Sequence, residues 1–453
     1  MGRSAWRRTA TMGTAALLAV TLSGCLQDPD ESSESGAGLE GFVDNSQTDD
    51  DGEVTILGAF GGTEQEAFEA SVKEFEDESG IDIKYTADQD FTTTIKTRVG
   101  SGDSPDVGLF PQPGGIQEFV DSSAVQPIDS YLDYNTLDDT LVPGFMDFAR
   151  FDGRVYAAPM RMAVKSVVYY PKKAWEAAGY PDSFATYQDL MAFSQQLIDK
   201  GETPWCMGWE SDQATGWVGT DWIEQLMLVV NGPEVYDDWV SHAIPFDDPQ
   251  VAKAFDVFAE IAKTDGEVLG GSKSILNTPF AEAALPMFDK AGPRCWMERQ
   301  GNFAIGFFPE AIRNNLDEEV GVFKFPKYDG GFDGESTLVG GDYAALFNGN
   351  DEEAQKVMEF ITSDKFGAQW AAVGGWLSPH TTFDASAYPD DVTRTIADMA
   401  YKSDETAYDA SDLMPKSVGS GTFWTEMVEW VDGKSTADTV ADLEASWPAD
   451  EGE

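Results

Sequence analysis

Three features predict an α/β fold. Short apolar runs alternate with amphipathic helical repeats from Val54 onward, the turns after those runs are rich in glycine, and 453 residues with 42% apolar and 12% aromatic content can fill two or three cores. "VTILGAF" reads as a strand. "TEQEAFEASVKEFEDESG" sets Ala67, Phe68, Val72 and Phe75 at helical spacing and stops at Gly80. "IDIKYTA" and "DVGLF" are further strands, with "FTTTIKTRVGSG" between them and "GGIQEFVDSS" after them as helices. Strand and helix in alternation imply a largely parallel sheet, whose ligands lie beyond the carboxyl ends of its strands. Here those ends are residues 59–64 and 110–115. Thr63 and Glu66 have capping-box spacing, so Thr63 is expected to cap the first helix, leaving Glu64 free to bond a hydroxyl.

"DGRVYAAPMRMAVKSVVYYPKKAWEAAGY" is a long extended segment ending in a helix, with the look of a strand that leaves one sheet and enters another. Helical repeats follow ("TYQDLMAFSQQLIDKG", "TDWIEQLMLVV", "VAKAFDVFAEIAKTDG", "PFAEAALPMFDK"), then "AIGFFP", "VGVFKFP" and "LVGGDYAALF", then the helix "DEEAQKVMEFITS". The carboxyl-terminal "SDLMPKSVGSGTFWTEMVEWVDGK" is helical and aromatic. The chain has no internal repeat and no apolar run after the first 25 residues that could span a bilayer.

With 29 Lys and Arg against 81 Asp and Glu, the net charge of −52 argues against a nucleic-acid partner, whose phosphates demand basic side chains. The amino terminus, "MGRSAWRRTATMGTAALLAVTLSGC", places Arg3, Arg7 and Arg8 before a short apolar run and small residues, the pattern of a secretory signal over residues 1–24. Its end, "TLSGC", resembles the lipobox of bacterial lipoproteins, which implies a lipidated Cys25; the arginine pair also leaves twin-arginine export open. Residues 25–52 are then a lipidated cysteine and an acidic tether, too poor in apolar residues to fold and spanning roughly 30 Å as a coil. Cys206 and Cys295 remain. Outside the cytoplasm they are expected to pair, closing a loop of about 90 residues worth about 4–5 kcal/mol; two independent buried thiols are the alternative.

No cofactor is implied. With only His242 and His380, and no Cys or His pairs at ligand spacing, a metal site is not expected, and neither a "GxSxG" elbow nor a "DxDxDG" loop is present. Paired carboxylates carry no information in so acidic a chain, so a surface glycosidase using Glu210, Asp221 or Glu298 stays open as an alternative. Sugar binding fits better, because C–H faces stack on aromatic rings while hydroxyls seek carboxylates, amides and guanidinium groups. "TPWCMGWESDQATGWVGTDW", "WMERQGN", "GGWLSP" and "SDLMPKSVGSGTFW" each set tryptophan beside glycine and polar side chains. Within the first of these, Trp205 and Trp222 read as packing and Trp209 and Trp217 as sugar contacts.

In this order, "GGTEQEAFEASVKEFEDESGIDIKY", "SGDSPDVGLFPQPGGIQEF", the crossing segment, "LVGGDYAALF" and "GGWLSP" resemble the extracellular solute-binding proteins of ABC sugar importers, the group that includes maltose-binding protein. "TPWCMGWESDQATGWVGTDWIEQLML" and "GPRCWMERQGNF" are similar to its α-glucoside-binding subgroup. The resemblance spans roughly residues 54–447. It implies a two-lobed periplasmic-binding-protein-like (Venus-flytrap) fold, with lobe 1 at 53–162 plus 339–375 and lobe 2 at 163–338 plus 376–453. It also implies a non-enzymatic, monomeric receptor on the outer face of the cell membrane, handing an α-glucoside such as maltose, trehalose or sucrose to an ABC permease; a non-sugar solute in the same fold is the other alternative. The ligand-binding residues it implies are Gly62, Thr63, Glu64, Asp106, Arg161, Lys165, Ser166, Glu210, Glu298, Arg299, Gln300, Asp342, Gly375 and Asp412. Trp209, Trp217, Trp376 and Trp424 are expected as stacking platforms.

Overall fold

The computed structural model describes residues 51–448 except Gln89. The signal segment, Cys25 and nearly all of the tether lie outside the described residues. Nine strands set the frame: β1 Glu53–Gly58, β2 Asp82–Ala87, β3 Val107–Phe110, β4 Ala157–Val164, β5 Val167–Pro171, β6 Glu298–Gln300, β7 Val320–Lys324, β8 Ser336–Leu346 and β9 Glu405–Tyr408. The larger sheet runs β9-β8-β3-β1-β2, with β4 on β8, and the smaller runs β6-β5-β7.

The sheet is mixed rather than largely parallel. β1 is parallel to β2 and β3, the arrangement that the helices Thr63–Ser79 and Phe91–Ser101 enforce as crossovers. β8 enters from the opposite direction and lies antiparallel to both β3 and β4. β9, which the sequence boundaries give to lobe 2, adds in parallel to β8 through Ser336–Glu405 and Val339–Tyr408. The crossing segment does what its composition predicts. β4 belongs to the larger sheet and β5 to the smaller, and Lys165 and Ser166 form the step between them. "PFAEAALPMFDK" forms no α-helix; Pro286 interrupts it and Phe280–Glu282 and Leu285–Phe288 are short 3-10 turns, as is Asn302–Phe307, which holds the start of "AIGFFP".

Two apolar cores result, one under the larger sheet around Leu57, Phe68 and Trp370, the other around Trp222, Phe258 and Trp430. Cys206 and Cys295 are bonded with their Cα atoms 5.3 Å apart, joining the tryptophan-rich stretch to the approach to β6. Among the described residues no helix is long and apolar enough to cross a membrane.

Candidate functional site

A cleft of about 760 Å³ opens beyond the carboxyl ends of β1 and β3, a volume suited to a small molecule. Ala59, Glu64, Pro111 and Gln112 line it from the turns of the larger sheet. Ser211, Trp217, Phe280, Asn302, Phe303 and Trp424 face them from the other core. Arg161, Lys165, Gly341 and Asp342 come from the crossing strands at the floor.

Two cations organise that floor. Arg161, on β4, bonds Asp342 on β8 through its Nε, and its Nη1 donates to Glu64 Oε1 at 2.5 Å. Its guanidinium also lies 5.0 Å from the Phe60 ring centre and 5.3 Å from that of Trp370. Burial works against the charge on Arg161, but Asp342 and Glu64 outweigh it and raise its pKa. Burial also keeps Asp342 above the ordinary carboxylate range despite Arg161, and its Oδ1 has no partner.

Lys165 is more deeply buried. Its Nζ donates to Asp221 Oδ1 at 3.0 Å and to Asp409 Oδ2, and these two carboxylates hold its pKa well up against burial. Asp409 in turn accepts from Ser411 Oγ at 2.7 Å and from the Asp412 amide at 3.1 Å, which caps the short helix Ala410–Leu413. Burial alone would raise Asp409, yet Lys165 brings it to about 2. Asp221 goes to about 7 because burial outweighs Lys165, and Asp412 is pushed well up by burial and by the charge of Asp409. The pair of cations therefore resides in a web of carboxyl groups, of which Asp342, Asp409 and Asp412 line the cleft.

Aromatic rings form the wall. Trp217 is half-buried, its Nε1 donates to Ser211 Oγ at 3.0 Å, and its ring meets Phe280 edge-on at 5.2 Å and Phe303 at 6.0 Å. Trp424, also half-buried, follows a π-helical turn at Val418–Phe423, a distortion frequent at functional sites. Gly216, at φ 120°, lies against it: a Cβ there would stand 2.2 Å from the Trp424 carbonyl oxygen. That close approach holds the two rings in one wall.

Several expected site residues are elsewhere. Trp209 is fully buried and stacked on Phe258 at 6.1 Å, because Gly219 leaves room for its ring. Trp376 packs in the other core against Phe383 at 5.4 Å and Phe366 at 6.0 Å. Asp106 precedes β3 at its amino end, far from the carboxyl-end turns, and accepts from Thr55 N at 2.8 Å and Thr55 Oγ1 at 2.7 Å. Ser166 is buried and bonds Gln225 Oε1 at 2.6 Å. Glu298, Arg299 and Gln300 are the buried strand β6, paired with β5. Glu210 turns back to accept from the Asp212 amide at 3.1 Å. Gly62, at φ 61°, rather than Thr63, is the residue preceding the first helix, and no side chain caps it; neither of the two lines the cleft.

Glu64, Arg161, Lys165, Trp217, Asp342, Gly375, Asp412 and Trp424 do line it. Sequence reading missed Asp409, Ser411, Gln112 and Asn302. Ser411 opens the quoted "SDLMP" run and Asp409 stands two residues before it, while Asn302 closes "WMERQGN"; its Oδ1 accepts from Val164 N and its Nδ2 donates to Gly375 O, both at 2.8 Å.

Residues 61–368 match the family described as "Bacterial extracellular solute-binding protein". The chain belongs to that family. This solute-binding protein is 38% identical over 413 residues to the osmoprotective compounds-binding protein GgtB of Synechocystis sp., covering 91% of this chain and 95% of the other. It is 30% identical over 400 residues to the alpha-glucosides-binding periplasmic protein AglE of Rhizobium meliloti, covering 87% and 86%. Among solved structures it is similar to a chitin oligosaccharide binding protein, with TM-score 0.71 at 17% identity over 87% of this chain and 97% of the other. A maltose-bound MalE3 of T. maritima gives TM-score 0.65 at 15% identity over 87% and 98%. The two-lobed architecture of these receptors is thus the fold of this solute-binding protein.

Proposed function

We propose that this protein is the lipid-anchored, extracellular receptor of an ABC sugar importer, and that it holds a glucoside in the cleft without chemical conversion. The observation that carries the reading is a cleft that half-buried Trp217 and Trp424 line together with the carboxyl groups of Asp342, Asp409 and Asp412. A ring's C–H face stacks on indole while its hydroxyls donate to the carboxylates. Both floor cations are already paired twice with carboxylates, which disfavours a phosphorylated or carboxylated solute.

The ligand is an α-glucoside, the class that the name of AglE supports; the name of GgtB supports an osmoprotective compound as the second class. Two lobes, one built on the larger sheet and including β9, the other on the smaller sheet, close on it about the step at Lys165, and the monomeric closed form is presented to a permease. Cys25 carries the lipid. A glycosidase is disfavoured by placement, since Asp221 and Glu298 are buried outside the cleft lining and Glu210 does not face it.

A thermal-shift screen of the full chain tests this. Maltose, trehalose, sucrose and a glucosylated glycerol form one arm and glycine betaine the other. A ligand at about 100 times its Kd adds about 2.7 kcal/mol to stability. Stabilisation by a glycoside without glucose release supports the proposal. Stabilisation by betaine alone, or turnover of the glycoside, contradicts it.

A further inference from the structure

The aromatic wall of the cleft does not end at Trp217. From the floor outward, the Lys165 ammonium stands 5.6 Å from the Trp217 ring centre, Trp217 meets Phe280 edge-on at 5.2 Å, and Phe280 meets Phe307 edge-on at 5.4 Å. All four residues line the cleft. Exposure rises along the same path: Lys165 is buried, Trp217 and Phe280 are half-buried, and Phe307 is 39% exposed. Among the described residues three large apolar side chains are exposed, Leu285, Phe307 and Val373, and of these only Phe307 lines the cleft. A lone exposed apolar residue is ordinary on a protein surface. Phe307 is not alone, because ring contacts carry apolar surface without a break from the charged floor to the rim.

Backbone and side-chain bonds hold these rings in place. The Phe280 amide donates to the Glu210 carbonyl at 3.1 Å, and Ser211, the next residue, accepts from Trp217 Nε1 at 3.0 Å, so one short segment fixes both rings. Phe307 ends the 3-10 turn Asn302–Phe307, whose first residue is bonded to Val164 and Gly375. The residue after it, Phe308, is buried and packs on Phe288 at 5.1 Å and on Tyr169 at 5.4 Å. With both ends of the turn anchored, the exposure of Phe307 is a property of the fold. A ring fixed in this way loses little freedom when a ligand covers it.

We propose that Phe280 and Phe307 form an outer subsite of the cleft for a second sugar ring, so that the receptor selects glucosides of two or more rings over a glucoside of a short polyol; this rests on the sugar-receptor reading. A pyranose gathers C–H groups on one face and lays it on an aromatic ring, whereas a glycerol tail bears an oxygen on every carbon and has no such face. Asp212 and Gln213, exposed on the turn Asp212–Ala214 that follows Glu210 and Ser211, also line the cleft and supply polar groups for the hydroxyls of the second ring. The cleft volume of about 760 Å³ lies in the upper part of the range for small-molecule pockets, which leaves room for that ring.

Calorimetry on the full chain tests it with maltose and trehalose as two-ring probes and with methyl α-glucoside and glucosylated glycerol as one-ring probes, melting temperature being read alongside. The wild type binds the better disaccharide about tenfold or more tighter than either one-ring probe. Phe307→Ala weakens that disaccharide by about threefold to tenfold, the share of one stacked ring, and changes the one-ring probes by less than about twofold. Phe307→Trp, which keeps a ring face, holds the disaccharide to within about twofold of wild type. A wild type that binds a one-ring probe as tightly as the disaccharides overturns the outer subsite. So does a loss in F307A that is absent or equal for all probes. Should F307A not fold, Phe307→Leu takes its place with the same expected pattern and the same overturning results. A wild type that binds a one-ring probe and no disaccharide sinks the outer subsite alone, while one that binds none of the probes sinks the sugar reading and the subsite with it.

Discussion

Arg161 and Lys165 lie four residues apart on the crossing segment, and each is held by two carboxylates, yet their surroundings differ. The Arg161 side chain is 19% exposed and one of its partners, Glu64, is 40% exposed; the Lys165 side chain is 9% exposed and both its partners are at most 2% exposed. The Arg161–Glu64 pair, partly open to water, gains little from its charges and can exchange a partner for a ligand hydroxyl, while Asp342, 3% exposed, stays on Arg161. A buried pair of the second kind cannot release a partner without stranding a charge. One centre is therefore a contact that a solute can enter, and the other is the scaffold on which the floor is built.

Removing the cation from the scaffold centre should do the most damage. Lys165→Met leaves Asp221 and Asp409 buried without it and is expected to cost about 3–5 kcal/mol of stability in urea unfolding at neutral pH. The same contrast holds among the tryptophans. Trp209→Ala empties a core site and should also cost about 3–5 kcal/mol, with glycoside affinity preserved in whatever fraction is folded.

pH separates the two centres next. The Asp221 carboxyl titrates at about 7 in the folded protein against an ordinary value of 3.8, so the folded state binds the extra proton between those values. Its contribution is largest below pH 3.8 and is lost as pH rises through about 7, with a slope of at most about 1.4 kcal/mol per pH unit. Asp221→Asn should flatten that part of the stability curve, and Glu64→Gln should leave it unchanged. Among the ligand contacts, Trp424→Ala should weaken glycoside binding by about 1 kcal/mol, close to fivefold, with little loss of stability. Glu64→Gln should change stability by less than about 1 kcal/mol. A Glu64 variant as destabilised as the Lys165 variant would erase the distinction between the centres.

The order of strands and helices was readable because apolar periodicity survives in an acidic chain; the acids occupy exposed helix faces such as Glu69, Glu74 and Asp77, while Phe68 and Val72 keep the inner one. Direction was harder to read. The antiparallel entry of β8 depends on which edge a distant segment joins, and nothing local to "LVGGDYAALF" encodes that.

Within the site, Arg161, Lys165 and Asp342 were legible because charged side chains interrupt otherwise apolar crossing strands. Trp209 and Trp217 could not be told apart from their polar neighbours. What separates them is Gly219, which admits the Trp209 ring beneath the helix that follows. "ERQ" reads as a set of ligand contacts, yet β6 is interior, with the Arg299 guanidinium 5.4 Å from the Trp222 ring centre. Asp106 failed for a simpler reason, standing at the amino end of its strand.

The central claim is that the accessible rings of the cleft, and not the buried ones, hold a glycoside. Titrating intrinsic tryptophan fluorescence of the full chain with the stabilising glycoside tests it most directly, comparing wild type with the Trp217→Phe, Trp424→Phe double variant. A saturable change in the wild type that disappears in the double variant is the predicted result; an undiminished change in the double variant would contradict the claim.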